Sequence, residues 1–390
     1  MKKILSSILL LVIYQCSRLY AWFIPIKKNR FVFFSMGGNN YGDSIKCLSD
    51  YIKSHHEGAE IIWAFSSYYY DKVGCEHKKV VYGSFRYYYF VISSKYYITN
   101  CYAPLMAIKR KGQVMMQTWH GTALKRIGHD GKGGDHSRLV SLIRPNTYKA
   151  AVRDFDFFIS GSHFMTEVYH RALSYPKKID EIGMPRNDIF FQERPEIKRK
   201  VRQWIHADEN AKIILYTPTF RPDFGFTYYD VDLPAIKAYF ERKTGNKFVI
   251  LVRLHPRMMS KTDEIDVFWG KDNIINVTLY PDIQELLYTA DVLVTDYSST
   301  MFDFMLSMKP VILYTPDKET YNRGFYFNIE ELPFILANNN EELLAALKKH
   351  DRNVYIHRVS SFLDRIGNVE TGHATEEAYR LLIKFAKKLH

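Results

Sequence analysis

A Trp-His-Gly-Thr corner at residues 119–122 and an Arg-Leu-His-Pro corner at residues 253–256 each close an apolar run. Val114 to Gln117 reads as the strand that delivers His120, and Phe248 to Val252 as the strand before His255. A strand end is a rigid seat for an imidazole, and Gly121 beside it lets a substrate approach the backbone closely. Alone, His120 fits a buried structural histidine as well as a general base. Other polar corners shift that balance. Thr217-Pro218-Thr219-Phe220-Arg221 ends one apolar run and Asp296-Tyr297-Ser298-Ser299-Thr300 another. Ser298 and Ser299 read first as a helix cap, yet the same free N–H groups and hydroxyls suit a diphosphate. Arg221 and Arg253 can neutralise phosphate as bidentate donors or pair with carboxylates. Asp296 is read as ordering its own loop, as short acidic side chains commonly do.

These corners need elements to hold them. Strand candidates from Arg30 to Ile182 alternate with helical stretches, and so do the runs Ile213–Tyr216, Phe248–Val252, Asn273–Val277, Val292–Thr295 and Val311–Tyr314. The expectation is an α/β chain of two doubly wound, Rossmann-like domains facing each other across a cleft. Residues 1–28 read as an apolar membrane-associating segment, 29–193 as an acceptor-side domain, and 194–390 as a nucleotide-donor domain whose final helix packs back on the first. Each special motif falls at the carboxyl end of a strand, where open α/β sheets bind ligands. The loop Gly37–Asp43 lacks dinucleotide-fingerprint spacing and reads as a tight turn that places Tyr41 and Asp43 at that edge. Met301–Met308 reads as the helix after the Ser-Ser corner. His129 and His136 have no second cluster to complete a metal site, so no metal ligand is assigned.

Composition narrows the partners. Hydrophobic content of 47% with 25% charged residues is ordinary for a folded protein. The excess of 54 Lys and Arg over 42 Asp and Glu points to an anionic partner. Nucleic acid is excluded by the absence of a recognised motif and by basic residues that are spread rather than striped. Four cysteines without metal spacing fit free thiols in a reducing setting. Ile4 to Ile24 is mostly apolar, with Ser7, Tyr14, Arg18 and Ala21 on one narrow helical face and Trp22-Phe23 beside Lys27-Lys28. That pattern suits a helix lying in a membrane interface, with a spanning helix and a cleaved signal as rivals.

Together the corners resemble a family. Trp119-His120-Gly121-Thr122, Gly183-x-Pro185-Arg186-Asn187-Asp188, Tyr216-x-Pro218-Thr219-Phe220-Arg221, Arg253-x-His255-Pro256, Thr295-Asp296-Tyr297-Ser298-Ser299 and the late Arg323-Gly324-Phe325 loop are similar to the CDP-glycerol glycerophosphotransferases of teichoic acid and capsule synthesis. The resemblance spans about Phe31 to Leu382 and implies a GT-B type fold with one essential histidine per domain, His120 and His255. It implies substrate contacts from Gly121, Thr122, Arg186, Thr219, Arg221, Arg253, Asp296, Ser298, Ser299 and Arg323. It also implies a CDP-glycerol or related CDP-polyol donor, a lipid-linked glycan acceptor, CMP release, and a peripheral position on the cytoplasmic face of the cell membrane. No cofactor is expected, and a Mg²⁺ requirement cannot be read. A sugar-nucleotide glycosyltransferase of the same fold is the alternative. Ala123, Asn328 and Gly372-His373-Ala374-Thr375 depart from the family pattern.

Overall fold

The computed structural model describes residues 19–101, 109–131, 152–221, 229–255, 274–321 and 324–388. The chain divides into two compact units. Met1–His120, Gly128–Asp188 and Val369–His390 make the first, Gly121–Ile127 and Ile189–Asn368 the second. Relative to the spans drawn from sequence, residues 121–127 move to the second unit and 369–390 to the first.

The first unit is built on a seven-stranded sheet, in the order β3-β2-β1-β4-β5-β6-β7. Its strands are β1 (Lys27–Phe34), β2 (Glu60–Phe65), β3 (Lys78–Val81), β4 (Ser94–Thr99), β5 (Val114–Gln117), β6 (Phe157–Ser160) and β7 (Ile179–Glu181). Every pairing is parallel. Phe31 to Phe34 are buried on both faces, which is why β1 reads as an unbroken apolar run. The helices are α1 (Asp43–His55), α2 (Phe85–Ser93) and α3 (His163–Ala172). Ser84 and Ser162 cap α2 and α3 by accepting N–H bonds from Tyr87 and Met165.

The second unit carries a six-stranded parallel sheet, in the order β10-β9-β8-β11-β12-β13. Its strands are β8 (Lys212–Thr217), β9 (Phe248–Val252), β10 (Ile274–Asn276), β11 (Val292–Thr295), β12 (Val311–Tyr314) and β13 (Ile335–Ala337). Its helices are α4 (Pro195–Ile205), α5 (Leu233–Thr244), α6 (Ile283–Thr289), α7 (Thr300–Phe304), α8 (Asn340–Lys349) and α9 (Arg352–Arg365).

A last helix, α10 (Ala374–Lys388), returns to the first unit. It buries Ala374, Ala378, Leu382 and Ala386 at four-residue spacing. Ala378, Leu382 and Ala386 share one core with Ile45, Leu48 and Ile52 of α1. Three alanines on this stripe let the two helices approach closely. Among the described residues no helix is long and apolar enough to cross a membrane; most of the segment from Ile4 lies outside them.

Candidate functional site

In both sheets the strand order reverses beside the first strand of the unit, between β1 and β4 and between β8 and β11. Such a switch point opens a crevice beyond the strands' carboxyl ends. In the first unit Ser35 follows β1 there and Asn100 follows β4. The Asn100 side chain donates to Ser35 Oγ at 3.1 Å and to Asp43 Oδ2 at 3.0 Å, and accepts from Met36 N–H at 3.0 Å. Its backbone carbonyl, 2.7 Å from His120 Nδ1, accepts a hydrogen bond from that nitrogen. A carbonyl can only accept, so neutral His120 is protonated on Nδ1 and presents a bare Nε2. No protein group among the described residues bonds Nε2.

The corner is held in an uncommon backbone conformation. Trp119 lies at φ +56°, and its N–H donates to Gln117 Oε1 at 2.8 Å. Its indole stacks on the imidazole at 4.6 Å. Burial pushes the His120 pKa below the ordinary imidazole value; the Asn100 bond and Asp43 oppose that shift, and Arg186 adds to it. His120 is thus neutral near pH 7, the form a general base needs.

Arg186, expected on the substrate, is buried behind this cluster. Its Nη1 lies 3.3 Å from Asp43 Oδ2, and its N–H donates to Ser44 Oγ at 3.5 Å. The next two residues of the motif have structural partners as well. Asn187 donates to Glu370 Oε1 at 2.8 Å, and Asp188 caps α10 by accepting the N–H groups of Ala374 and Thr375 at 3.0 and 2.8 Å. The departure at Gly372–Thr375 therefore sits at a helix start in the first unit. Gly183 is at φ +89°, and a Cβ there would stand 2.7 Å from Glu370 Oε2, so only glycine fits.

In the second unit Asp296 organises the switch point. Its Oδ1 accepts the N–H groups of Thr219 and Tyr297 at 2.8 and 2.6 Å, and its Oδ2 lies 2.9 Å from Arg221 Nη2. Arg221 also grips Asp317 with two bonds of 2.7 and 3.0 Å and donates to the Thr219 carbonyl at 2.8 Å. Burial alone would lower the guanidinium pKa, but the two carboxylates raise it above its ordinary value. The fork expected to face phosphate is filled by protein acceptors. Tyr297 and Tyr321 stack at 4.0 Å, Phe325 lies beside both, and Arg221 sits 5.2 Å from each tyrosine ring. Thr219 Oγ1 is buried and finds no partner among the described residues.

The remaining expected residues are more dispersed. Arg253 Nη1 donates to the Tyr280 carbonyl, which holds the turn after β10. Ser298 Oγ accepts from Thr300 N–H at 3.4 Å and Thr300 Oγ1 at 3.0 Å, whereas Ser299 makes no side-chain cap. The expected eight-residue helix is shorter: α7 tightens into a 3₁₀ turn over Met305–Ser307. His255 is exposed, with its ring 5.7 Å from Phe220. Gly121 is buried at φ +116° and Thr122 half-buried, at the start of a segment whose Leu124 and Arg126 exchange backbone bonds of 2.8 Å with Tyr326 and Gly324. Arg323 lies outside the described residues. Sequence reasoning passed over Asn100, Gln117 and Asp317; a polar residue at or just past the end of an apolar strand is the signal that could have marked Gln117 and Asp317.

Comparison with known proteins identifies the family and the fold. The family model for CDP-Glycerol:Poly(glycerophosphate) glycerophosphotransferase matches residues 17–384. A teichoic acid poly(glycerol phosphate) polymerase of Staphylococcus epidermidis is 29% identical over 376 residues, 93% of this chain and 52% of the polymerase. The chain thus spans about half the length of that relative. A teichoic acid glycerol-phosphate transferase of Staphylococcus aureus is 30% identical over 380 residues, covering 92% of this chain and 93% of the transferase. A structure of the wall teichoic acid polymerase TagF, a histidine variant with CDPG, aligns with a TM-score of 0.80 at 29% identity, over 99% of this chain and 98% of that one. With nearly its whole length matched, the chain belongs to the CDP-glycerol:poly(glycerophosphate) glycerophosphotransferase family.

Proposed function

We propose that this protein transfers glycerol phosphate, or a related polyol phosphate, from a CDP-polyol to a hydroxyl of a lipid-linked glycan, releasing CMP, in teichoic acid or capsule-type polymer synthesis. The observation that carries the reading is His120: a neutral imidazole with Nδ1 tied to a carbonyl and Nε2 bare at a switch point. Family membership and the CDPG bound to a TagF variant support the donor class. His120 Nε2 takes the proton of the acceptor hydroxyl as its oxygen bonds to the phosphorus that carries the polyol. The bond from that phosphorus to the bridging oxygen breaks, and the bridging oxygen leaves with CMP. His255 hydrogen-bonds the phosphate oxygens, and Thr219 Oγ1 gains a partner when the donor binds. Because protein carboxylates occupy Arg221, its role is to hold the donor corner in shape rather than to meet phosphate directly.

The protein would work on the cytoplasmic face of the cell membrane. Leu19, Trp22 and Phe23 are 71%, 88% and 86% exposed, and the exposed Lys27 and Lys28 follow them. Apolar rings beside ammonium groups suit an anionic bilayer interface.

The test is single-turnover CMP release from CDP-glycerol with a lipid-linked acceptor. Removing a general base costs roughly 10²–10⁴ in rate. His120→Ala and His255→Ala are both expected to fall in that range, and near-normal rates in both would overturn the assignment. A CDP-polyol panel read by CMP release identifies the donor; release of UDP or GDP from sugar nucleotides would favour a glycosyltransferase instead.

A further inference from the structure

We infer that Asp43 is a positioning residue for His120: by anchoring the Asn100 side chain it steadies the residue whose carbonyl holds Nδ1 and leaves Nε2 bare, and with Arg186 it sets the field at that nitrogen. This rests on His120 being the base. Asp43 Oδ2 receives Asn100 Nδ2 at 3.0 Å and Arg186 Nη1 at 3.3 Å, and its Oδ1 receives Ser44 N–H at 2.5 Å. The Asn100 amide is thereby locked, with its oxygen on Met36 N–H and its nitrogen on Asp43 and Ser35. The same residue's carbonyl holds His120 Nδ1. A shift of the Asn100 backbone would release the imidazole, and Asp43 is the charged group that anchors that residue's side chain against it.

The backbone supports the same assignment. Asp43 sits at φ +68°, in the left-handed region, at the head of α1. A backbone of this kind persists where surrounding structure enforces it. Gly38, at φ +83° with the site of a Cβ 2.5 Å from Ser66 N, packs against the end of β2, and its carbonyl accepts the Ser66 N–H at 2.8 Å.

Charged and titratable groups reach the corner from several packed elements. They are Asp43 on α1, Arg186 after β7, Tyr169 on α3 against Trp119, and Cys101 next to Asn100. Burial raises the tyrosine and cysteine pKa values and keeps both neutral. Asp43 and Arg186 are therefore the two charged groups acting on the imidazole, the carboxylate raising its pKa and the guanidinium lowering it.

The experiment compares Asp43→Asn, Arg186→Gln and Arg186→Lys with the intact protein. Asparagine tolerates the left-handed backbone and keeps the side-chain shape while removing the charge and one of the two acceptor oxygens. The ascending limb of the kcat–pH profile for CMP release should move to lower pH in Asp43→Asn, by about half a pH unit, with roughly tenfold loss in kcat. It should move to higher pH in Arg186→Gln and stay in place in Arg186→Lys. NMR titration of ring-labelled histidine gives the same midpoint without activity, with the His120 signal identified by its loss in His120→Gln. If Arg186→Gln does not fold, Asp43→Asn and Arg186→Lys decide. An unmoved midpoint in Asp43→Asn, or shifts of one sign in both charge-removing variants, overturns the assignment. Full activity in His120→Gln would instead defeat the reading of His120 as base. An inactive His120→Gln with unchanged Asp43→Asn defeats only the role of Asp43.

Discussion

The carbonyl of Asn100 decides what His120 can do. Tied there, the ring offers one acceptor, and burial lowers its pKa, so the base form persists below the ordinary imidazole midpoint of about 6.5. The rate should therefore rise with pH along a limb centred below that value and be flat by pH 7, which a kcat–pH profile checks. Arg221 makes a second prediction at this scale. It is buried against Asp296 and Asp317, and stripping one partner from such a cluster costs about 3–5 kcal/mol. Arg221→Ala should lower the thermal midpoint of unfolding strongly, and Arg221→Lys should retain part of it. An unchanged midpoint would mean that the side chain contributes nothing to the fold. Thr219→Val separates binding from folding by a different route: its hydroxyl lacks a partner among the described residues, so stability should hold while KM for the donor rises. His120 and Asp296 were legible in the sequence because each ends an apolar run. Asn100 was not, since its importance lies in a backbone carbonyl, which carries no residue-type signature. Arg186 and Arg221 looked like phosphate ligands because their charge is visible in sequence, whereas their buried carboxylate partners lie 143 and 96 residues away.

Parallel strands made the elements the most legible part of the molecule. Runs such as Ile213–Tyr216 and Val311–Tyr314 are buried on both faces, so hydrophobicity alone marks them. Helix ends were harder to read. The stretch after Ser299 looks like a helix of two turns, but α7 closes as a 3₁₀ turn before Met308 enters the left-handed region and Pro310 follows. Its N-terminus therefore offers a short dipole, and the hydroxyls of that corner matter more than the helix. Asp188 is more consequential as a cap than its motif suggests. Asp188→Ala removes both side-chain acceptors from the start of α10 and should cost roughly 0.5–2 kcal/mol, read as a shifted denaturant midpoint with unchanged m.

Over the whole molecule, residues distant in sequence hold each unit together. The exposed rings of residues 19–23 predict that binding to anionic vesicles exceeds binding to zwitterionic ones, and that Trp22→Ser with Phe23→Ser weakens it. Cosedimentation measures both, and equal binding of the double variant would remove this segment from the interface. Domain organisation was partly legible: the return of the last helix was expected, whereas nothing in residues 121–127, read in order, announces that they belong to the second unit. That return has a consequence for biosynthesis. The strands beside His120 emerge early, yet the helix that covers the core of α1 follows the whole of the second unit in sequence. The second unit lies within residues 121–368 and is complete in sequence before α10 exists. During synthesis, then, the unit that carries the proposed base cannot complete its core until the second unit's sequence has been made, and that unfinished core of α1 and sheet is what the emerging chain must keep from aggregating.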